Sequence, residues 1–392
     1  MRIAFIGQKG IPTSQGGVER HVEELTTRLV LRGCEVLVYT RPSYVDKNLR
    51  KYKGVELISL PSVFTKHLDA ITHTFVACLN VRKQNVDIIH FHSIGPSFLI
   101  WFAKIINPRT PIIATFHSQC YRHKKWGIFA RFSLKLGERI CCIASDSLVL
   151  VSRNLKRMVL DKYKRNGVYI PNGVPSYETV NLKLAKKWGL RRKEYILFAG
   201  RLMESKGVHY LIKAFNLIRT NKKLVIAGDE MYTKGYKNKL EKLASGNDRI
   251  IFTGNLDGNS LELAELFSNA YLFVHPSEIE GLSIALLETM SYGVPALVSD
   301  IPENVEVIQK AGFTFKNKNT SDLRNKLERL LRDPINVRKK AQEGRARVKE
   351  HYSWEAVSSE ILDLYKAELK NHQSNKKFPR TKYFIEVLKR NL

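Results

Sequence analysis

The segment Glu278-Ile-Glu-Gly-Leu-Ser-Ile-Ala-Leu-Leu-Glu288 follows an apolar run, Ala270-Tyr-Leu-Phe-Val-His275, and a Pro276-Ser277 break. It reads as strand, short loop and helix, with the helix entered at about Leu282 and ended by Gly293-Val-Pro295. Glu280 falls in the loop and Glu288 inside the helix. Six residues at ~1.5 Å rise set Glu288 about 9 Å along the axis from the helix start. Between the two carboxylates, at Gly281, Leu282 and Ser283, lie the free N–H groups of a helix N-terminus, which attract phosphate. Two hydroxyl-binding carboxylates beside a diphosphate cradle suit a nucleotide sugar, with Glu280 near the sugar and Glu288 near the ribose. The plainer alternative is a solvated loop glutamate and an ordinary helix glutamate. Against it, Leu286, Leu287 and Met290 surround Glu288 in sequence, and an unpartnered charge in apolar surroundings is costly.

Outward from this segment, strand-like and helix-like runs alternate along the chain. The runs Ile3–Ile6, Glu35–Tyr39, Val55–Leu60, Asp87–Phe91, Ile112–Thr115, Leu148–Val151 and Val168–Ile170 predict strands in the first half. In the second half Tyr195–Phe198, Lys223–Ala227, Ile250–Phe252, Ala270–Val274, Ala296–Val298 and Gly312–Phe315 do the same. Helical stretches separate most of them, a pattern that predicts parallel sheets and doubly wound α/β domains. The turn cluster Pro171-Asn-Gly-Val-Pro175 marks a boundary. The expected division is a first Rossmann-like domain over 1–172, a second over 173–353, a helix over 354–371 and a basic amphipathic tail over 372–392.

At 392 residues and 44% hydrophobic content the chain can fill two ordinary cores. Phe98-Leu-Ile-Trp-Phe-Ala103 is interrupted by Lys104, and no apolar run reaches the ~18 residues of a membrane span. The five cysteines have no CxxC spacing and read as reduced thiols of a cytoplasmic protein. The net charge of +28 draws phosphate-rich partners. No zinc spacing, RNA-recognition signature or basic heptad is present, so nucleic acid ranks below an anionic membrane surface. Arg122-His-Lys-Lys-Trp126 ahead of an amphipathic segment over 126–142, with Phe129, Phe132 and Leu136, has the basic and aromatic character of a membrane interface; the alternative is a solvated charge cluster over a core helix. Tyr383-Phe-Ile-Glu-Val-Leu388 gives the tail an apolar stripe with the same two readings.

Gly200-Arg201-Leu-(x)3-Lys206-Gly207 lies between a strand and a helix, where α/β folds bind ligands. Arg201 could reach a diphosphate by a bidentate fork and Lys206 as a point charge. Gly16-Gly17 follows the first strand and precedes a helix, where backbone can approach a ligand closely. Thr115-Phe-His117 and His90-Phe-His92 each end a strand. His117 is a candidate site residue, and His90 and His92 read as structural support.

Pro276-Ser277-(x)2-Glu280-Gly281-(x)6-Glu288, followed by Tyr292-Gly-Val-Pro295 and joined by Gly200-Arg201…Lys206-Gly207, resembles the signature of family 4 retaining glycosyltransferases of bacterial surface polysaccharides. The likeness spans roughly residues 1–370. It implies the GT-B architecture, two facing Rossmann-like domains, with the last helix crossing back to the first. It implies catalytic roles for Arg201, Lys206, Glu280 and His117. Donor contacts are implied at Gly16, Gly17, Gly228, Asn255, Leu256, Gly281, Leu282, Ser283 and Glu288, with His117 close to the donor hexose and the base held by backbone at Asn255 and Leu256. The implied reaction is hexose transfer from a nucleoside-diphosphate sugar, a UDP-sugar in first place, to a lipid-linked or polysaccharide acceptor at the inner face of the plasma membrane. No cofactor is expected. No Asp-x-Asp occurs in the chain, so basic side chains are expected to take the place of a metal at the diphosphate. A nucleotide-sugar epimerase or hydrolase of the same architecture, and a basic nucleic-acid-binding protein, are the competing readings.

Overall fold

A computed structural model describes residues 1–13, 16–65, 67–122, 126–230 and 235–374. The chain divides into two compact units. The first holds Met1–Arg122, Trp126–Asn172 and the helix from Trp354; the second holds Gly173–Ser353.

The first unit opens with β1 (Arg2–Ile6), α1 (Gly17–Leu31), β2 (Glu35–Thr40), β3 (Lys51–Tyr52) and β4 (Val55–Ser59). It continues with α2 (Asp69–Val81), β5 (Ile88–His92), the short helices α3 (Ile94–Ser97) and α4 (Ile100–Ile106), and β6 (Ile112–Phe116). α5 (Ile128–Ala144), β7 (Ser147–Leu150), α6 (Arg153–Tyr163) and β8 (Val168–Tyr169) complete the sheet, in the order β3-β4-β2-β1-β5-β6-β7-β8. All pairs are parallel except β3 with β4.

The second unit runs β9 (Tyr195–Ala199), α7 (Val208–Asn216), β10 (Lys223–Ala227), α8 (Tyr236–Ala244), β11 (Ile250–Gly254) and α9 (Leu261–Asn269). β12 (Leu272–His275), α10 (Ile284–Ser291), β13 (Ala296–Ser299), α11 (Pro302–Ile308), β14 (Phe313–Phe315), α12 (Thr320–Arg332) and α13 (Pro334–His351) follow. Its parallel sheet has the order β11-β10-β9-β12-β13-β14, so the direction of winding reverses between β9 and β12. In the first unit the reversal falls between β1 and β5. Ligands of open α/β sheets bind at such reversals, outside the carboxyl ends of the strands.

The central strands read as unbroken apolar runs because both faces are covered. Ile3 and Phe5 of β1 pack with Val22, Leu25 and Leu29 of α1 and with the last helix, α14 (Trp354–Ser374), through Trp354, Val357, Ile361 and Tyr365. A buried hydrogen-bond chain fixes that helix: His90 Nδ1 to the Tyr365 hydroxyl at 2.6 Å, and His90 Nε2 to Thr115 Oγ1 at 2.7 Å. The structural part expected of His90 is therefore a tie between the sheet and α14.

The helix expected from about Leu282 begins at Ile284, because the Ser283 hydroxyl accepts from Leu286 N–H as its N-cap. A further helix, α11, begins at Pro302, with the proline in its first turn. α3, α4 and α13 were not foreseen; the first two lie within an apolar stretch and the third is strongly polar. The tail stripe at 383–388 and residues 123–125 of the basic cluster lie outside the described residues.

Gly207 lets the β9 and β12 loops meet. Its φ is +68°, and a Cβ there would overlap the Pro276 carbonyl oxygen. Gly207→Ala is expected to destabilise the second unit by about 1–3 kcal/mol, read as a lower denaturant midpoint; an unchanged midpoint would show that the loops separate freely.

Candidate active site

The residues after β9 and after β12 flank the reversal of the second sheet, and there three side chains converge. Lys206 ends the turn Glu204–Lys206, and its Nζ donates to Glu280 Oε1 at 2.5 Å. His275, the last residue of β12, lies 2.9 Å from the same oxygen through Nε2. A carboxylate only accepts, so His275 carries its proton on Nε2, which Ser277 Oγ also approaches at 3.1 Å. Among the described residues, His275 Nδ1 is then left as a buried lone pair without a partner.

Side-chain exposure is 18% for Lys206, 10% for Glu280 and 1% for His275. Burial alone would raise the Glu280 pKa; the Lys206 ammonium and the His275 hydrogen bond outweigh it and hold the carboxyl well below the usual range. Burial lowers the His275 pKa, against the opposing pull of Glu280. The chemical product is a carboxylate that stays ionised in a nearly dry place, with a mobile ammonium in contact and a neutral imidazole behind it.

A frame of hydrogen bonds holds the loop. Glu278 N–H donates to the Ser205 carbonyl at 2.8 Å, tying the β12 loop to the β9 loop. The Glu278 carboxylate takes the Tyr210 hydroxyl at 3.0 Å and Lys318 Nζ at 3.1 Å. Ser299 Oγ donates to the Ser277 carbonyl at 2.5 Å, and Asn304 Nδ2 donates to Ser299 Oγ at 3.0 Å. The stretch 299–304 thus braces the loop from behind.

Arg201 is exposed in the same β9 loop and, among the described residues, makes no hydrogen bond or ion pair. Gly228, after β10, touches this loop: a Cβ there would overlap the Gly200 carbonyl oxygen, so only glycine permits the approach. Gly281, Leu282 and Ser283 are buried at the entry to α10. Glu288 is half-buried in mid-helix rather than enclosed by its apolar neighbours, which leave it a path to solvent. Asn255 is exposed and Leu256 half-buried beyond β11.

The remaining expected residues belong to the first unit. Gly16 is the N-cap of α1, with φ +109°, and Gly17 is the first helical residue. His117 follows β6, is buried, and meets His92 Nδ1 through Nε2 at 3.0 Å. His92, expected only to support the structure, is thus a direct neighbour of a candidate site residue. His275 and His21 escaped sequence reasoning. The signal that could have found His275 is the one applied to His117: a histidine at the carboxyl end of an apolar strand run.

The chain matches two protein families, "Glycosyltransferase Family 4" over residues 15–176 and "Glycosyl transferases group 1" over residues 181–351. It is 29% identical to an uncharacterised glycosyltransferase of Methanocaldococcus jannaschii, over 93% of this chain and 98% of that relative. Its fold is similar to sucrose-phosphate synthase of Thermosynechococcus elongatus, with a TM-score of 0.79, 21% identity and 93% and 98% of the two chains covered. It is also similar to Anabaena HepE in complex with UDP-glucose, with a TM-score of 0.78, 17% identity and 94% and 100% covered.

Proposed function

Because the chain belongs to glycosyltransferase family 4, with the GT-B fold, we propose that it is a retaining hexosyltransferase using a nucleoside-diphosphate sugar, a UDP-sugar in first place. The observation that carries this reading is the contact of Lys206, Glu280 and His275 at the winding reversal of the second sheet.

A donor diphosphate at this place would draw Lys206 from Glu280 toward its β-phosphate, with Arg201 closing from the solvent side. The bond from the anomeric carbon to the phosphate oxygen breaks as the bond to the acceptor oxygen forms. The leaving phosphate oxygen takes the acceptor proton. Fixed positive charge already aimed at the leaving group stabilises the transition state without reorganisation. Glu280, freed on one side and still held by His275, accepts a hexose hydroxyl. Glu288 takes the ribose, backbone at Asn255 and Leu256 the base, and Gly228 makes room for the nucleotide. In the first unit, the resemblance proposes Gly16, Gly17 and His117 as further donor-binding residues, His117 for the hexose. Basic side chains do the work of a metal at the diphosphate. The test is a panel of UDP, GDP, ADP and dTDP sugars scored for saturable binding and slow release of nucleoside diphosphate. Silence across the panel, or turnover abolished by EDTA, sinks the reading.

The acceptor is a lipid-linked or polysaccharide glycan, met at the inner face of the plasma membrane. Support comes from α5, where Ile128, Phe129 and Phe132 are 84%, 89% and 68% exposed beside the exposed Arg122, Arg131 and Lys135. Apolar tips among cations fit anionic headgroups. No described helix is long and apolar enough to cross a membrane. Phe129→Ser with Phe132→Ser is expected to lower partition onto anionic vesicles at least tenfold in a sedimentation assay while donor binding is kept. Equal partition would reject this face.

A further inference from the structure

We propose that His21, His92 and His117 form a binding site for one divalent transition-metal ion of the zinc class. The three rings come from separate elements of the first unit: α1, the end of β5, and the residue after β6. All three are buried, at 1%, 0% and 7% exposure. Each presents a nitrogen within 4.8 Å of the other two. Zn–N bonds of 2.0–2.1 Å in a tetrahedral set need nitrogens about 3.3 Å apart. His92 Nδ1 and His117 Nε2 already stand 3.0 Å apart. The third ring therefore has to move inward by about 1.5 Å at most.

Hydrogen bonding prepares the donor atoms. His21 Nδ1 lies 2.9 Å from Asn172 Oδ1, an acceptor, so the proton sits on Nδ1 and Nε2 carries the lone pair. Such an outer partner orients metal-binding histidines in general. Among the described residues, His21 Nε2 is buried without a partner, its lone pair unused. That orphaned nitrogen costs about 1–3 kcal/mol, which a ligand able to take several imidazole lone pairs would recover. A sugar hydroxyl has one O–H to donate and satisfies one such lone pair. A borderline dication suits three neutral imidazoles and keeps a fourth position open. Phe5 stacked on His92 at 5.4 Å and Trp354 edge-on to His21 at 5.4 Å hold the rings in place. The cluster shares no residue with the Lys206 and Arg201 set.

The test uses the full chain, freed of metal by chelation and dialysis, titrated with Zn²⁺ by calorimetry and with Co²⁺ by visible absorption. Expected are one ion per chain and the intense visible band of four-coordinate cobalt. Asn172→Ala should weaken binding about 10- to 100-fold, and His21→Gln more, with unchanged circular dichroism showing that both variants fold. Absence of stoichiometric binding overturns the proposal, as does equal affinity in the folded variants, which would place the ion on other side chains. Resting on the reading of His117 above, Zn²⁺ should also raise the donor KM without lowering kcat. Binding without competition leaves the metal site standing and removes His117 from the donor site.

Discussion

Lys206→Met should lower kcat/KM for the donor by about 100- to 1,000-fold, the usual cost of removing one preorganised donor from a developing negative charge. The same substitution strips Glu280 of its cation. A buried carboxylate without its partner is destabilising by roughly 3–5 kcal/mol, although His275 still donates to Oε1 and softens the loss. Activity and stability must therefore be read separately. Denaturant unfolding of the second unit gives the structural share, and saturation kinetics on the folded fraction gives the rest. Glu280→Gln separates them further: Lys206 remains for the phosphate, an amide can still take the His275 proton, and the loss should be smaller than for Lys206→Met. The double variant should lose less than the sum of the two, because both partners of one contact are removed. Turnover within threefold of wild type in folded Lys206→Met would end the proposed role of this ammonium.

The legible part of the fold was what local pattern encodes. The runs Ile3–Ile6, Tyr195–Phe198 and Ala270–Val274 are apolar throughout, and the strands they fall in, β1, β9 and β12, are each central in a parallel sheet. Glu280 and Lys206 could be singled out as neighbours of strand ends. Their contact could not, because 74 residues separate them and only the order β10-β9-β12 sets the two loops side by side. The late start of α10 had a readable cause, Ser283 as N-cap, masked by the helix-like run Leu282–Leu287. α13 also carried a signal in Asp333-Pro334, a cap followed by proline at the first helical position, on a helix too polar to reveal itself by periodicity. In the histidine cluster, His92 and His117 were legible as strand ends and His21 was not. His21 looked like an ordinary residue of an amphipathic helix until the fold brought the ends of β5 and β6 against one turn of α1.

That clustering makes acid the most destructive condition for the first unit. His21 and His73 are buried and neutral, each lowered to about 4 from the usual 6.5, His73 with the Arg41 charge adding to burial. His90, His92 and His117 are driven below the ordinary value by burial and then by neighbouring histidines, His21 acting on all three. Unfolded, all five titrate near 6.5, so below that pH the unfolded state binds more protons and stability falls as pH falls. A lowering of 2.5 units amounts to about 3 kcal/mol for His21, fully lost by pH ~4, and a similar amount for His73. Two such losses rival the whole stability of a domain, roughly 5–15 kcal/mol. The second unit carries two such histidines, His209 and His275, both lowered by burial, against five in the first, and its buried carboxylate responds differently. Glu280 is depressed in the fold, so its contribution persists above the ordinary carboxylate value of about 4.3 and fades only below it. The first unit should therefore open between about pH 6 and pH 4.5 while the second stays closed. Hydrogen exchange followed by peptide should show β1, β5 and β6 losing protection in that window and β9 and β12 retaining it. Equal protection of both sheets down to pH 4.5 would mean that the buried histidines find compensating partners on protonation.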